Sequence, residues 1–155
     1  MRRKDREISD REQIVSVLEE AEVCRVALQA EPAPYIVPLS YGFSWKEKLE
    51  IYFHSADAGR KLELIESNNN VGFEIDCGQE LVTGEDACSW GMKFKSLIGT
   101  GRIYMLEDKD ERNEALSVIL KHYGHEGNPV YNGSIFEKTK VLRLVVDKIT
   151  GKQRK

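Results

Sequence analysis

The residue types that could bind an anion are concentrated where a predicted strand passes into a predicted helix. This stretch reads Tyr52-Phe53-His54-Ser55-Ala56-Asp57-Ala58-Gly59-Arg60-Lys61-Leu62. A helix start offers unpaired backbone N–H groups and the positive end of the helix dipole. Arg60 can hold a phosphate with a two-pronged bond, and Lys61 adds a point charge. The stretch predicts a phosphate site; the alternative is a solvated helix start with Ser55 or Asp57 as its cap.

His54 ends the same predicted strand, directly before the proposed phosphate site. An imidazole titrates near neutral pH, so His54 could hydrogen-bond a ligand or move a proton. We interpret His54 as the candidate catalytic residue. The alternative is a half-buried histidine bonded to a backbone carbonyl.

A second candidate binding segment is Pro38-Leu39-Ser40-Tyr41, within the apolar run over 35–43. Proline cannot donate a ladder hydrogen bond, so this strand should lie at a sheet edge, at a bulge or at a bend. Backbone groups freed there could bond the polar edge of a flat ring, while Leu39 and Tyr41 offer apolar contact. The alternative is a bent core strand without a ligand.

Two other residue sets give weaker signals. The segment 95–101 lacks the spacing of a dinucleotide-binding loop, although Gly99 and Gly101 predict a bulge or a close backbone approach. His122 and His125 lie three residues apart, but we expect Gly124 to end the helix between them. Because no third ligand has suitable spacing, we predict no metal site.

Composition indicates one globular domain over residues 1–155. The chain is 41% hydrophobic and 32% charged, with a formal net charge of −3. These values argue against disorder, a membrane-spanning protein and a general nucleic-acid binder. The basic start is not followed by the apolar stretch of a secretory signal. Cys24, Cys77 and Cys88 are widely spaced, which argues against a disulfide framework and favours a cytoplasmic location.

The elements that must position these residues are mostly strands. We predict strands over 23–28, 35–43, 49–54, 71–77, 90–106 and 141–146. Helices are predicted after Asp10, over 58–67 and over 108–123, and residues 148–155 are expected to form a basic, solvated tail. Hairpin-length loops join the strands more often than helices do, which favours a mostly β fold: a small antiparallel barrel with peripheral helices.

Taken in order, these motifs resemble a known family. They include VCRVAL, PYIVPLSYGF, IYFHSA followed by GRK, and KSLIG. The chain is similar to the FMN-binding split-barrel proteins of the pyridoxamine 5′-phosphate oxidase type, and within them to the nitroimidazole-resistance (Nim-like) flavoproteins. The block His-Ser-Ala-x-x-Gly-Arg-Lys is the most specific part of this resemblance.

The resemblance implies a six-stranded antiparallel split barrel that forms a homodimer, with FMN at the subunit interface. Arg60 and Lys61 would hold the phosphate with help from Ser55. Other residues assigned to the cofactor by the resemblance are Pro38, Leu39, Ser40 and Tyr41 along the flavin ring, His54 beside it, and Ser96 from the opposite subunit.

The implied function is that of an FMN-dependent oxidoreductase that reduces nitroaromatic compounds, such as 5-nitroimidazoles, or similar small organic molecules. The pyridoxal-phosphate contacts of the vitamin oxidases are not found in this sequence, which argues against that activity. The alternative is a non-catalytic flavin- or haem-binding module, a sensor or a store, on the same fold.

Overall fold

The computed structural model describes residues 3–155, which form seven strands and four α-helices. The strands are β1 (Glu7–Ile8), β2 (Val23–Leu28), β3 (Tyr35–Trp45), β4 (Leu49–Ala56), β5 (Asn70–Val82), β6 (Gly91–Leu106) and β7 (Thr139–Arg154). The helices are α1 (Arg11–Glu20), α2 (Arg60–Ser67), α3 (Lys109–His122) and α4 (Gly133–Glu137). Met1 and Arg2, which begin the basic opening segment, lie outside the described residues.

Six of these strands close into an antiparallel barrel. Neighbouring strands follow the order β7-β4-β3-β2-β5-β6, and β6 pairs back with β7. The short strand β1 joins the other end of β7, where Glu7 lies opposite Lys152. This topology confirms the predicted mostly β, six-stranded antiparallel barrel with peripheral helices; β1 was not predicted.

Alternation along the strands divides the barrel interior from its outer face. On β4, Ile51 and Phe53 point into the core and are fully buried, whereas Tyr52 and His54 point outward. Helix α1 contributes Leu18 to the same core, and the Asp10 side chain accepts the predicted capping bond from the Gln13 N–H at 3.2 Å. Each fully buried side chain of this size contributes about 1.5–3 kcal/mol to folding.

Helix α3 packs on the outer face of β3 and β4. The approach is close at Gly42, where a Cβ would lie 2.6 Å from the carbonyl oxygen of Val118. As predicted, Gly124 follows the helix with a positive φ of 84°. The helix forms a second apolar cluster with α4, comprising Leu106, Ala115, Leu116, Ile119, Phe136 and Val141. Helix α4 was not predicted, because five residues are too few to show a helical period.

The predicted solvated tail over 148–155 is wrong. Strand β7 continues to Arg154 and pairs with β6 as far as Phe94 opposite Arg154. The segment is polar on its exposed side, but Gly151 is buried against Ile8, where a Cβ would lie 2.7 Å from the Ile8 Cβ. Closure of the barrel, rather than local composition, decides the conformation here.

Strand β5 also extends beyond its predicted end at Cys77. It runs to Val82, and its pairing with β6 is irregular between Cys77 and Glu80. Gly78 takes a φ of 66° at this irregularity. Gly78 therefore lies in a bulge within the strand rather than at its end. The expected irregularity near Gly99 and Gly101 is confirmed by a shift in the β6–β7 register between Thr100 and Gly101.

Candidate functional site

The barrel is split where β3 changes partners. Residues Tyr35–Ser40 of β3 pair with β2, whereas Tyr41–Trp45 pair with β4. Continuing the β3–β4 register would place Ser40 opposite His54, but the paired segment ends at Tyr41 opposite Phe53. The end of β4, His54–Ala56, pairs with β7 only. The two strands therefore part and leave peptide groups without a strand partner on both sides.

Pro38 lies on this free edge of β3, opposite Arg25 of β2. Its missing N–H costs no ladder bond on the side that faces the split. Of the three positions expected for this proline, the structure shows the sheet edge. Ser40 is exposed on the same edge, and Leu39 is partly buried with its side chain packed against the core.

Helix α2 begins immediately after the end of β4, at Arg60. Gly59 is its N-cap residue, with a φ of 127°, and no side chain of the described residues caps the helix. The proposed alternative, an ordinary cap from Ser55 or Asp57, is therefore not observed. The first N–H groups of the helix stay available for a ligand.

Arg60 and Lys61 present two cations at this helix start. The Arg60 guanidinium carbon lies 5.0 Å from the centre of the Tyr35 ring, which brings the helix start to the first residue of β3. Neither cation has a carboxylate within 4.0 Å in residues 3–155. Partial burial lowers the pKa of Lys61, because no nearby anion offsets the lost hydration.

Ser55 and His54 lie on opposite faces of β4. Ser55 points inward and is 8% exposed, while His54 is exposed on the outer face. Among residues 3–155, His122 is the one histidine whose ring makes a hydrogen bond, so the imidazole of His54 is free. The structural alternative for His54, a bond to a backbone carbonyl, is not observed.

Tyr41 is the predicted site residue that the fold removes from the split. Its side chain is fully buried, and its hydroxyl donates to the carbonyl oxygen of Leu18 at 2.7 Å. Its backbone N–H donates to the Tyr123 hydroxyl at 3.0 Å. Tyr41 therefore anchors β3 where the strand changes partners, and its ring offers no contact to a ligand.

Ser96 lies on the same outer face as Pro38 but far from it within one chain. A cross-strand row runs from Pro38 through Arg25 and Glu74 to Ile98, two residues from Ser96. Three strand spacings separate β3 from β6, or about 14 Å. One chain does not bring Ser96 to its own split.

Sequence reasoning missed two tyrosines at this site. Tyr35 carries the Arg60 guanidinium, and Tyr123 accepts from the Tyr41 N–H and donates to the carbonyl oxygen of Glu22. Tyr35 directly follows Pro34 at the start of the PYIVPLSYGF motif, and its aromatic ring is a signal for a stacking partner of an arginine. Tyr123 carried no sequence signal, because its contacts span more than eighty residues.

The His122/His125 pair is not gathered into a metal site. The His122 ring contacts the carbonyl oxygen of Ala21 at 2.9 Å and packs 4.6 Å from the Tyr41 ring. Over residues 3–155, no three His, Cys, Asp or Glu side chains are grouped closely enough to ligate a metal. Over the same residues, no helix is long and apolar enough to cross a membrane.

Comparison with known proteins supports a family assignment. The family model described as pyridoxamine 5′-phosphate oxidase matches residues 10–153. A crystal structure of a candidate 5-nitroimidazole antibiotic resistance protein from Bacteroides thetaiotaomicron is 31% identical, with a TM-score of 0.79, and the match covers 95% of this chain and 86% of that one.

Two other solved structures are similar. An FAD-binding protein from Mesorhizobium loti is 26% identical over 97% of this chain and 98% of that one, with a TM-score of 0.66. A flavocytochrome from Azotobacter vinelandii shares the fold at 20% identity, with a TM-score of 0.80 over 100% of this chain and 72% of that one. No curated protein sequence matches. The family match confirms the resemblance seen in the sequence, and the chain belongs to the pyridoxamine 5′-phosphate oxidase family.

Proposed function

We propose that this chain binds FMN in the barrel split and uses it as an oxidoreductase acting on small organic molecules, nitroaromatic compounds among them. The observation that carries the proposal is the pair Arg60 and Lys61 at the start of α2. Both are free of carboxylate partners in the described residues, and the Arg60 guanidinium lies 5.0 Å from the ring of Tyr35, the first residue of β3. The names of the similar proteins from Bacteroides thetaiotaomicron and Mesorhizobium loti support the nitro-compound and flavin parts respectively.

The residues present fit both the phosphate and the ring of FMN. A phosphate would offset the charge of two cations that the fold leaves unpaired, and it would raise the lowered pKa of Lys61 toward its ordinary value. The unpaired peptide groups along Pro38–Ser40 offer hydrogen bonds to the polar edge of a flat ring. Ser55 lies at the end of β4 that borders the split.

Each residue then has a role of its own. When bound, FMN supplies the hydride and electron transfer that side chains cannot perform. Arg60 and Lys61 bind the phosphate, and the backbone of β3 orients the ring. The free imidazole of His54 orients the substrate and donates a proton from a ring nitrogen to the reduced product.

The proposal includes a homodimer with the cofactor at the subunit interface. Pro38 and Ser96 lie on one outer sheet face but are separated by β2 and β5, so a second chain is needed to bring a Ser96 to each split. Light scattering should give twice the mass of the chain. A monomer that holds FMN tightly would contradict this part of the proposal.

The test is removal of the two cations together. Because each charge-assisted bond to phosphate is worth about 1.5–3 kcal/mol, Arg60→Ala with Lys61→Ala should weaken FMN binding by at least about a hundredfold. Titration of the flavin-free protein, followed by flavin fluorescence, measures this. The matched control is Lys46→Ala with Lys48→Ala, which removes two exposed cations from the β3–β4 loop and should leave binding unchanged. Full FMN occupancy in the first variant would overturn the assigned site.

The second candidate is the non-catalytic flavin- or haem-binding module. The free, exposed imidazole of His54 at the split favours it, because histidine is also a common haem ligand. An absorbance spectrum of the purified protein separates haem from flavin by the Soret band. Anaerobic bleaching of the flavin by a nicotinamide donor supports turnover, whereas a flavin that no donor bleaches supports the binding module.

A further inference from the structure

A cavity on the outer face of the barrel opens beside His54. Its volume is about 290 Å³. Leu116, Ile119 and Leu120 of α3 form one wall, and Ile135 and Phe136 of α4 form another. At this volume, near the lower end of the range for small-molecule sites, it suits a compound of one ring with a few substituents.

Few polar groups line this cavity, and of these His54 and the amide nitrogen of Asn132 are exposed and make no hydrogen bond within the described residues. The Asn132 side chain accepts from the N–H groups of Ser134 and Ile135, and the Thr139 hydroxyl donates to the carbonyl oxygen of Ile135 at 2.8 Å. The Tyr131 hydroxyl is buried and has no hydrogen-bond partner among the described residues. The described lining contains no Lys, Arg, Asp or Glu. His54 and the amide Nδ2 of Asn132 are therefore the exposed groups of this lining that are free to bond a ligand.

The α4 wall is held in place while its rim stays apolar and open. Arg112 donates to the carbonyl oxygens of Phe136 and Thr139 at 2.6 and 2.8 Å, and its guanidinium lies 4.3 Å from the centre of the Phe136 ring. Ile135 nevertheless remains 65% exposed. Covering this fixed, exposed apolar wall with a ligand removes apolar surface from water and is therefore favourable.

We infer that this cavity takes the apolar part of an uncharged ring compound, whose polar group His54 holds, and that it discriminates against anionic and phosphorylated substrates. The inference rests on the proposed function, since the cavity serves as the substrate pocket beside the cofactor. Arg112 lies against the Phe136 ring but does not line the cavity, so a buried anion would contact no cationic side chain of the described lining and would carry a large desolvation cost. The phosphate ester for which the family is named would find no partner for its phosphate in this cavity.

The test compares two probes of nearly the same shape, methyl 4-nitrobenzoate and the 4-nitrobenzoate anion. Calorimetric titration of the FMN-loaded protein without an electron donor measures binding alone, and the same titration is run on the flavin-free protein. We expect the ester to bind at least about tenfold more tightly than the anion, a difference of about 1.4 kcal/mol. Equal affinities, or tighter binding of the anion, would overturn the inference.

Two variants localise the binding. Ile135→Asp places a charge on the exposed rim and should weaken ester binding at least about tenfold while flavin content and melting temperature stay unchanged. Leu81→Asp is the control: Leu81 is 57% exposed on β5 and does not line the cavity. If Ile135→Asp binds the ester normally, or loses it only because the protein has become a monomer, the inference fails; in the second case a second copy covers the cavity.

These outcomes are distinct from failure of the proposed function. If the protein never retains FMN but the ester still binds and Ile135→Asp abolishes that binding, the cavity stands and the flavin proposal fails. If FMN binds stoichiometrically but the ester is not preferred over the anion, the flavin proposal stands and the cavity inference fails.

Discussion

The β6–β7 seam and the β3–β4 split both involve an antiparallel strand pair, but the paired segment is long at the seam and short at the split. The seam continues from Phe94 opposite Arg154 to Leu106 opposite Val141. The β3–β4 pairing covers only Tyr41–Trp45, and then the strands part. The seam closes the barrel and satisfies its backbone, whereas the split leaves backbone groups and cations free. The seam therefore stabilises the barrel, whereas the split is the region to which we assign the proposed ligand site.

Particular residues make this difference. At the seam, Gly99 and Gly101 lie so close to neighbouring strands that a Cβ would come within 2.5 Å of backbone carbonyl oxygens. At the split, Pro38 has no N–H to donate, and the Tyr123 hydroxyl takes the bond of the Tyr41 N–H. Glycines permit the close approach of strands at the seam, whereas Pro38 and the Tyr123 hydroxyl satisfy the β3 backbone where the strand has no β4 partner or changes partners.

The largest effect should come from adding one methyl group to the seam. In Gly99→Ala, the new Cβ would lie 2.3 Å from Cζ of Phe73 and 2.5 Å from the carbonyl oxygen of Lys148. Because the backbone itself must shift, we expect a loss of about 2–3 kcal/mol in the free energy of unfolding, measured by urea denaturation.

A neighbouring glycine supplies the matched control. In Gly72→Ala, on the adjacent strand β5, the nearest atom would be 3.9 Å away, which is ordinary contact. That variant should stay within about 0.5 kcal/mol of the parent. If the two variants were equally stable, close packing at Gly99 would not be what the seam depends on.

The second effect sharpens the comparison through the buried thiol of Cys77 on β5, which lies opposite Lys95 of the seam strand β6. Burial, with a smaller contribution from the nearby Glu20 carboxylate, raises the pKa of Cys77 from 9.0 to about 11. Between these values the unfolded chain loses the thiol proton and the folded chain keeps it, so stability falls as the pH rises. We expect the contribution of Cys77 to decline by about 2 kcal/mol over this range.

The measurement is urea denaturation at several pH values from 8 to 11, where other groups titrate as well. Cys77→Ala should lose less stability over this range than the parent protein does. Cys88→Ala, which alters an exposed thiol, should follow the parent. A Cys77→Ala curve parallel to that of the parent would show that this thiol ionises alike in both states.

Much of the barrel could be predicted from the sequence, and the errors in that prediction have a common cause. The period-two patterns of β2 and β4 and the cap at Asp10 are local signals, and the structure has them. The strand nature of residues 148–154 and the continuation of β5 past Gly78 depend on pairing with β6. Pairing between distant segments overrides local composition, so the polar tail was predicted incorrectly.

The residues of the candidate site likewise separate into those that local sequence predicts and those that it does not. The sequence placed Arg60 and Lys61 together at a helix start, because neighbours in sequence remain neighbours in space. It also listed Tyr41 as a binding residue, although strand alternation sends that ring into the core. The cavity beside His54 joins β4, α3 and α4, and no local pattern relates three such distant segments.

The smallest effect should come from the Tyr123 hydroxyl, which links β3 to the residue before β2 at the point where β3 changes partners. The β2–β3 pairing ends with Val23 opposite Ser40, and beyond it the Tyr123 hydroxyl bridges the Tyr41 N–H and the carbonyl oxygen of Glu22. Tyr123→Phe removes this bridge without changing the ring that packs beside His122. Because Tyr123 is 44% exposed, water can replace the hydroxyl in part, and the loss should be about 1 kcal/mol in the free energy of unfolding.

The informative measurement is amide hydrogen exchange rather than global stability alone. In Tyr123→Phe, the Tyr41 amide should exchange faster while amides of the β6–β7 seam keep their protection, because the change is confined to the split. Tyr104→Phe is the control: Tyr104 is 37% exposed on β6, and its hydroxyl makes no hydrogen bond among the described residues. Faster exchange along the seam in Tyr123→Phe would mean that the two sides of the barrel open together, and the division between a stable seam and a binding split would not hold.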